Sequence, residues 1–141
     1  MIDSFSGEYR FLSNFYPCIV KYNNFIFSSV ENAYQASKCR TESEQHQFLN
    51  ISAGMAKRLG KVVTLRSDWD TVKVSIMSDL VHQKFYNKEL QKKLIATNYE
   101  EIVEGNNWDD TFCGRCNNIG ENNLGKILMK EREQLQKNVI V

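Results

Sequence analysis

The stretch FSSVENAYQASK, residues 27–38, decides how this chain is expected to fold, because it joins a helix start to a polar helix face. Ser28 or Ser29 can cap the first turn, since a serine oxygen accepts from the unpaired N–H groups there. The helix is then predicted to run to about Arg40.

Three polar side chains of this helix, Glu31, Gln35 and Lys38, lie on one side, because they are spaced by four and then three residues. Ala33 and Ala36 are expected to keep the neighbouring surface low. Such a face suits a ligand that approaches the backbone closely. The alternative is a solvated face without a function, which is common for single charges on a helix.

The patterns on both sides of this helix predict a mainly helical fold. Two short strands, CIVKY and FIFS (18–22 and 25–28), precede it and are joined by a turn at YNN. Helices are predicted over residues 42–50, 52–60 (closed by Gly60 as a C-cap), 88–96 and 124–137, with a longer one that carries Val72, Ile76 and Leu80 at helical spacing. We therefore expect the mainly α (α+β) class, as a single domain over residues 1–141 with a small N-terminal β-hairpin.

The composition is typical of one ordinary globular domain. The 141 residues are 42% apolar and 25% charged, and a formal net charge of +1 provides no large basic field for non-specific nucleic-acid binding. No apolar run reaches the roughly 18 residues that suggest a membrane span, and the start MIDSFSGEYRF lacks the pattern of a secretion signal. The four cysteines are therefore expected to be reduced thiols in a cytoplasmic protein.

A late polar segment, residues 104–116, carries carboxylates beside an aromatic ring. Asp109 and Asp110 follow Trp108, and Glu104 precedes it. Such carboxylates can stabilise an oxocarbenium-like transition state or activate water. Turn formation is the alternative, since Asn and Asp side chains bond their own backbone in turns.

The segment LRSDWD (65–70) also allows two interpretations. Trp69 can stack on a ring while Arg66 binds phosphate. Alternatively, Asp68 caps the following helix and Trp69 packs against that helix.

The pair CGRC (113–116) has the spacing of a metal or redox motif. Tetrahedral zinc would need two further ligands, yet there is no second pair, and His46 and His82 lie in predicted helices without ligand spacing. A redox pair is expected at the start of a helix after a strand, whereas this pair lies in a polar loop. We therefore expect neither a metal nor an organic cofactor.

Six segments, in the same order, resemble the motifs of the NADAR (YbiA-like) family. They are FLSNFYPC (11–18), FSSVENAYQASK (27–38), AKRLGKVVTLRSDWD (56–70), MSDLVHQKF (77–85), IVEGNNWDD (102–110) and GENNLGKILMKERE (120–133). The resemblance extends over nearly the whole chain. It implies a mostly helical fold and an enzyme that hydrolyses N-glycosidic bonds.

The resemblance also implies roles for individual residues. Glu31 matches the essential helix glutamate of the family, and Asp110 matches the aspartate of its late loop. Trp69 matches the tryptophan that follows an arginine. Lys38 and Lys84 match the two lysines of the Q-x-x-K and K-F motifs.

One position departs from the family pattern, since Cys113 stands where a tryptophan is often found. Phe112 or Trp108 can substitute for it as a stacking surface. The residues expected to bind substrate around the sugar and its phosphates are Arg10, Ser13, Asn14, Phe15, Gln35, Trp69, Lys84, Trp108 and Asn123.

Cleavage of an N-glycoside builds positive charge on the anomeric carbon, where a nearby carboxylate stabilises the charge or deprotonates the attacking water. We expect Glu31 in that role, with Asp110 orienting water or a ribose hydroxyl, and the two carboxyl groups meeting at one cleft. Lys38 either holds a phosphate or attacks the opened sugar as an amine and forms a Schiff base.

The family resemblance implies two kinds of substrate. The preferred hypothesis is removal of ADP-ribose from guanine bases in DNA or RNA, because GNNWDDTF (105–112) resembles members with that activity. The alternatives are hydrolysis of phosphoribosyl-aminopyrimidine intermediates of riboflavin synthesis, and a module that binds ADP-ribose or NAD without turnover. The expected partner is a ribosylated small molecule or an ADP-ribosylated nucleic acid, with no membrane and no obligate protein partner.

Overall fold

The structure is a computed structural model that describes residues 1–140. The chain divides into two units, which are described separately. The central unit comprises Asn14–Lys84, and the terminal unit comprises Met1–Ser13 with the residues from Phe85 onward.

The central unit begins with the predicted hairpin. Strand β1 (Val20–Tyr22) pairs with the antiparallel strand β2 (Phe25–Phe27), so that the first residue of β1 lies opposite the last residue of β2. Both of these residues are buried. Asn23 in the turn has a φ of 52°, a left-handed conformation that asparagine tolerates. The hairpin prediction is confirmed, with shorter strands.

Four helices complete the central unit: α1 (Val30–Ser37), α2 (Glu42–His46), α3 (Ala53–Leu59) and α4 (Trp69–Lys84). The side-chain oxygens of Ser29, Thr41 and Ser52 accept backbone N–H groups in the first turns of the first three. The predicted helices are thus confirmed, but two of them end early. The first ends before Arg40 because its last turn tightens, with the Lys38 N–H bonded to the carbonyl three residues back, and the second gives way to turns after residue 46.

Helix α1 lies in the interior of the central unit. All eight of its residues are buried, and it packs on α3, on α4 and on the hairpin. The expectation that Ala33 and Ala36 leave a low surface for a ligand was wrong, since neither is exposed at all. Their small side chains instead allow neighbouring elements to approach, and Ala56 of α3 is equally buried.

The terminal unit combines two helices with short extended segments: α5 (Lys88–Ile95), β3 (Gly105–Asn106), β4 (Arg115–Cys116) and α6 (Asn123–Ile140). The two short strands are parallel, and α5 packs on α6. Both helices were predicted, although α6 starts one residue earlier and extends beyond residue 137. A 3₁₀ helix over Gly7–Leu12 was not predicted.

The predicted apolar stripe of α6 is only partly buried. Leu124 and Leu128 are buried, whereas Ile127 and Leu135 are half-buried. Arg132 takes an interior position instead, where its guanidinium donates to the Thr97 hydroxyl at 2.9 Å.

The predicted fold class, mainly helical α+β with a small N-terminal hairpin, is confirmed. Of the helices within residues 1–140, none combines the length and the hydropathy that a bilayer crossing requires.

Candidate active site

The polar face of α1 is buried rather than solvated. Glu31 is 6% exposed and Gln35 is 5% exposed, so the interpretation of a solvated face is wrong. The Gln35 amide nitrogen donates to Oε1 of Glu31 at 3.4 Å. Because Ser29 caps the helix, Glu31 falls in the first turn, where the helix dipole favours negative charge. The sequence thus places a carboxylate in the interior at a position that stabilises its charge.

Two buried oxygen atoms beside Glu31 lack hydrogen-bond donors. The backbone N–H of Glu31 donates to the Asn14 carbonyl at 2.9 Å, which brings the buried Asn14 side chain to the start of α1. No donor within residues 1–140 reaches Oδ1 of Asn14 or Oε1 of Gln35. Buried acceptors without donors are costly in free energy, so such atoms are suited to receive hydroxyl groups of a ligand.

The end of α3 positions both Gln35 and Lys38. The Lys38 ammonium group donates to the Gly60 carbonyl at 3.4 Å. On its other side, Gly60 lies so close to Gln35 that a Cβ would collide with the amide oxygen. Gly60 is the C-cap of α3, as predicted, but its φ of −61° does not require glycine, so the close approach to Gln35 is the reason for glycine here. The four-residue spacing of Ala56 and Gly60 was the available signal of close helix packing.

Trp69 and Arg66, the two candidate ligand-binding residues of the LRSDWD segment, both contact other side chains of the central unit. Trp69 is 6% exposed, and its ring centroid lies 5.2 Å from that of Tyr34. Arg66 donates to both carboxylate oxygens of Asp68, at 2.6 and 3.0 Å, and to the Tyr22 hydroxyl at 2.9 Å. This pairing lowers the pKa of Asp68. Trp69 therefore packs inside the central unit, and Arg66 is held by a carboxylate.

A buried lysine, a thiol and an aromatic ring form a further cluster in the central unit. Lys84 of α4 is 2% exposed, and burial lowers its pKa to about 8. Its ammonium nitrogen lies 5.7 Å from the centroid of the Tyr16 ring. Burial raises the pKa of Cys18, whereas the nearby Lys84 charge and a hydrogen bond from the Val30 N–H lower it by a smaller amount. The amine expected to bind substrate is thus buried beside a thiol and an aromatic ring. The sequence analysis did not single out Cys18.

The late acidic segment uses its side chains to shape its own turns. Oδ1 of Asp110 accepts from the N–H groups of Phe112 and Cys113 at 3.2 and 2.9 Å. The amide of Asn123, at the start of α6, donates to the Phe112 carbonyl at 3.0 Å. The Cys116 thiol lies 3.7 Å from Oδ1 of Asp109. Oδ1 of Asp110 therefore stabilises a turn, as the alternative interpretation of this segment predicted.

The predicted site residues are divided between the two units. Within the central unit the structure brings Asn14, Glu31, Gln35 and Lys38 together through α1 and the end of α3. The other predicted residues of that unit are Phe15, which is exposed, Trp69 and Lys84; those of the terminal unit are Arg10, Ser13, Trp108, Asp110 and Asn123. The meeting of Glu31 and Asp110 stays a prediction.

Residues 3–136 match the family model of the NADAR domain. The chain belongs to the NADAR domain family. The resemblance found from six motifs is thereby confirmed, over almost the whole length of the chain. The structure agrees, since this NADAR domain superimposes on the NMR structure of the Escherichia coli protein YbiA with a TM-score of 0.84. That match has 29% sequence identity and covers 99% of this chain and 89% of the other.

Curated relatives of this NADAR domain have enzyme names. It is 33% identical over 135 residues to an N-glycosidase of Nostoc punctiforme, covering 91% of this chain and 86% of that protein. It is 32% identical over 136 residues to N-glycosidase YbiA of Escherichia coli, covering 94% and 85%. It is also 35% identical over 133 residues to a riboflavin biosynthesis protein of Vibrio vulnificus, covering 92% of this chain but only 36% of that protein. The predicted enzyme class, an N-glycosidase, is confirmed.

Proposed function

We propose that this protein hydrolyses a ribose–nitrogen bond and that Glu31 is the carboxylate that acts at the anomeric carbon. The observation that carries the proposal is the buried polar face of α1, where Glu31 lies beside the Gln35 amide. Membership of a family with N-glycosidase relatives supports the same chemistry.

The reaction adds water across the carbon–nitrogen bond. As that bond breaks, its electron pair goes to the nitrogen and positive charge develops on the ribose ring. A carboxylate at the low dielectric of Glu31 stabilises this charge more strongly than it would in water. In the version without a covalent intermediate, the water oxygen bonds to the anomeric carbon, one of its protons passes to the Glu31 carboxylate, and that carboxylate then gives a proton to the departing nitrogen.

Hydroxyl recognition by the neighbouring side chains complements this role. The amide oxygens of Asn14 and Gln35 are buried acceptors, and a ribose supplies hydroxyl donors. The Lys38 ammonium group, held at the Gly60 carbonyl, is a candidate either for a phosphate or for attack on the opened sugar. The sequence resemblance adds Asp110 as a residue that orients water or a hydroxyl.

The preferred substrate is ADP-ribose attached to guanine in DNA or RNA. Its support is the resemblance of the GNNWDDTF segment (105–112) to family members with that activity. Hydrolysis of phosphoribosyl-aminopyrimidine intermediates of riboflavin synthesis is the second candidate, and the similarity to the Vibrio vulnificus riboflavin biosynthesis protein favours it. Parallel incubation with both substrates, with the released sugar measured by mass spectrometry, distinguishes them.

Replacement of Glu31 by glutamine tests the catalytic assignment. Glu31→Gln preserves the size of the side chain and removes its charge, so we expect the fold to persist and turnover to fall by roughly 100-fold or more. Release of free ADP-ribose from a modified oligonucleotide is the measurement. Glu42→Gln is the matched control, since Glu42 also lies in the first turn of a helix but is exposed. Retained turnover in Glu31→Gln would remove Glu31 from the mechanism.

A further inference from the structure

A cavity of about 440 Å³ lies in the terminal unit, between the first residues of the chain and the β3–β4 pair. Its volume falls in the range of sites for small organic groups, which is roughly 300 to 1,000 Å³. Trp108 lines it and is 57% exposed, so a large part of the indole is accessible. An exposed indole at a cavity is a suitable surface for stacking a planar ring.

A rigid turn forms part of the cavity wall. Cys116 and Ile119 exchange both backbone hydrogen bonds, at 2.9 and 3.0 Å. Between them Asn117 and Asn118 have φ values of 53° and 64°, which is the left-handed pair of a type I′ turn and suits asparagine. Because the turn is fixed, these two side-chain amides are presented to the cavity without a large loss of backbone entropy on binding.

The charged groups of the cavity favour a ligand with both a polar ring edge and an anionic group. Arg115 on β4 lines the cavity, and its contact with Glu101 is a long ion pair of 3.6 Å between side chains that are both partly exposed. Its guanidinium can therefore turn to a phosphate at little cost. Asp3 and the asparagine amides supply acceptors and donors that match the edge of a base.

We propose that this cavity binds one nucleotide of a single nucleic-acid strand, with its base on Trp108, its polar edge against Asn117 and Asn118, and its phosphate on Arg115. The inference rests on the proposed function in one respect, since this strand would be the one that carries the modified base. Arg115 is the one cationic side chain among the described residues that line the cavity, which implies modest affinity and a weak dependence on salt.

Binding of a fluorescently labelled, unmodified single strand of roughly ten nucleotides, followed by anisotropy, tests the proposal. Trp108→Ala is expected to weaken binding by about tenfold or more, and Trp108→Phe, which keeps an aromatic ring, by much less. Arg115→Gln is expected to weaken binding and reduce the salt dependence. Tyr99→Ala is the matched control, because Tyr99 is a highly exposed aromatic of the same unit that does not line the cavity.

Two results would overturn the inference. The first is equal affinity of wild type and Trp108→Ala for the strand. The second is binding of adenosine or guanosine monophosphate with no binding of the strand, which would identify a free-nucleotide site instead. These titrations involve no turnover, so they are independent of the Glu31 test. If the cavity does not bind the strand, the catalytic assignment of Glu31 still stands. If Glu31→Gln retains turnover, the binding result still stands.

Discussion

A carboxylate buried as deeply as Glu31 is compatible with a stable fold only where its surroundings compensate for lost hydration. The start of α1, capped by Ser29, provides the positive end of a helix dipole, and the Gln35 amide provides a donor. This local compensation is built from neighbours on one short helix. This compensation supports the proposal that the Glu31 carboxylate acts on a cationic transition state.

The chemistry of Lys38 separates two versions of the mechanism, and we predict the covalent one. Its half-buried ammonium group donates to the Gly60 carbonyl, and Gly60 also lies against the Gln35 side chain of the same helix face. Attack on the opened sugar would form a nitrogen–carbon bond as the base nitrogen departs with a proton, and water would then split the imine. Borohydride added during turnover is expected to trap a stable adduct on the peptide that contains Lys38.

Substitution by arginine completes this test. Lys38→Arg keeps the positive charge but cannot act as a nucleophile, so it is expected to lose both adduct and turnover. Lys61→Arg, at an exposed position, is the control. Retained turnover by Lys38→Ala, with no adduct in wild type, would discard the covalent version.

At the scale of elements, the glycine inside α3 and the glycine that follows it have different surroundings. A Cβ at Gly54 would meet nothing closer than 4.0 Å, whereas a Cβ at Gly60 would collide with the Gln35 amide. Gly54→Ala is therefore expected to stabilise the protein slightly, by about 0.5–1 kcal/mol. Gly60→Ala is expected to displace Gln35 and to lower kcat by about tenfold or more, because a small misplacement near reacting groups is costly.

A double substitution shows whether the collision is the cause. Removing the side chain in Gln35→Ala leaves room for the new methyl group, so adding Gly60→Ala to that variant is expected to have little further effect on Tm or kcat. Equal losses from Gly60→Ala in both backgrounds would contradict the positioning role. Thermal unfolding and steady-state kinetics of the four proteins are the measurements.

Elements with capping residues and long apolar periods were predictable from the sequence. Ser28 or Ser29 was predicted to cap the first helix, and Ser29 is the cap, because a serine oxygen is a specific partner for first-turn N–H groups. The 3₁₀ helix over Gly7–Leu12 was missed, since so short an element has no period and its aromatic residues are typical of strands.

The burial of the candidate site could not be predicted in the same way. Glu31 and Gln35 have the spacing of a solvent-facing stripe, and only tertiary packing decides whether such a stripe meets water. The contact between Gly60 and Gln35 joins residues distant in sequence, which no local pattern reports. The family resemblance singled out Glu31 as a candidate, but it did not indicate how deeply this carboxylate lies.

At the scale of the whole molecule, each unit contains a fully buried asparagine whose side chain bonds to the backbone of segments without regular secondary structure. In the central unit the Asn32 amide donates to the carbonyls of Phe48 and Ile51, at 3.0 and 2.9 Å. In the terminal unit the Asn122 amide donates to the Ile102 carbonyl at 3.0 Å and accepts from a backbone N–H. Side-chain amides thus replace missing sheet hydrogen bonds in a fold with few strands.

Two buried groups, Lys84 and Cys39, have opposite effects on the pH dependence of global stability. Burial lowers the pKa of Lys84 from 10.5 to about 8, so between these values the unfolded chain binds more protons and stability rises with pH. Burial raises the pKa of Cys39 from 9.0 to about 11, so over that range the folded chain retains its proton and stability falls. The two effects oppose each other above pH 9.

Comparison of variants separates these contributions. In a Cys39→Ala background, Lys84→Met is expected to be more stable than its parent at pH 7. This difference in the free energy of unfolding is expected to shrink by up to roughly 3 kcal/mol as pH rises from about 8 to 10.5. Urea unfolding over this pH range is the measurement, with Lys61→Met as the control for removal of an exposed lysine. A stability difference between Lys84→Met and its parent that stays constant from pH 8 to 10.5 would show that the Lys84 amine titrates as it does in water, and that its burial has no energetic consequence.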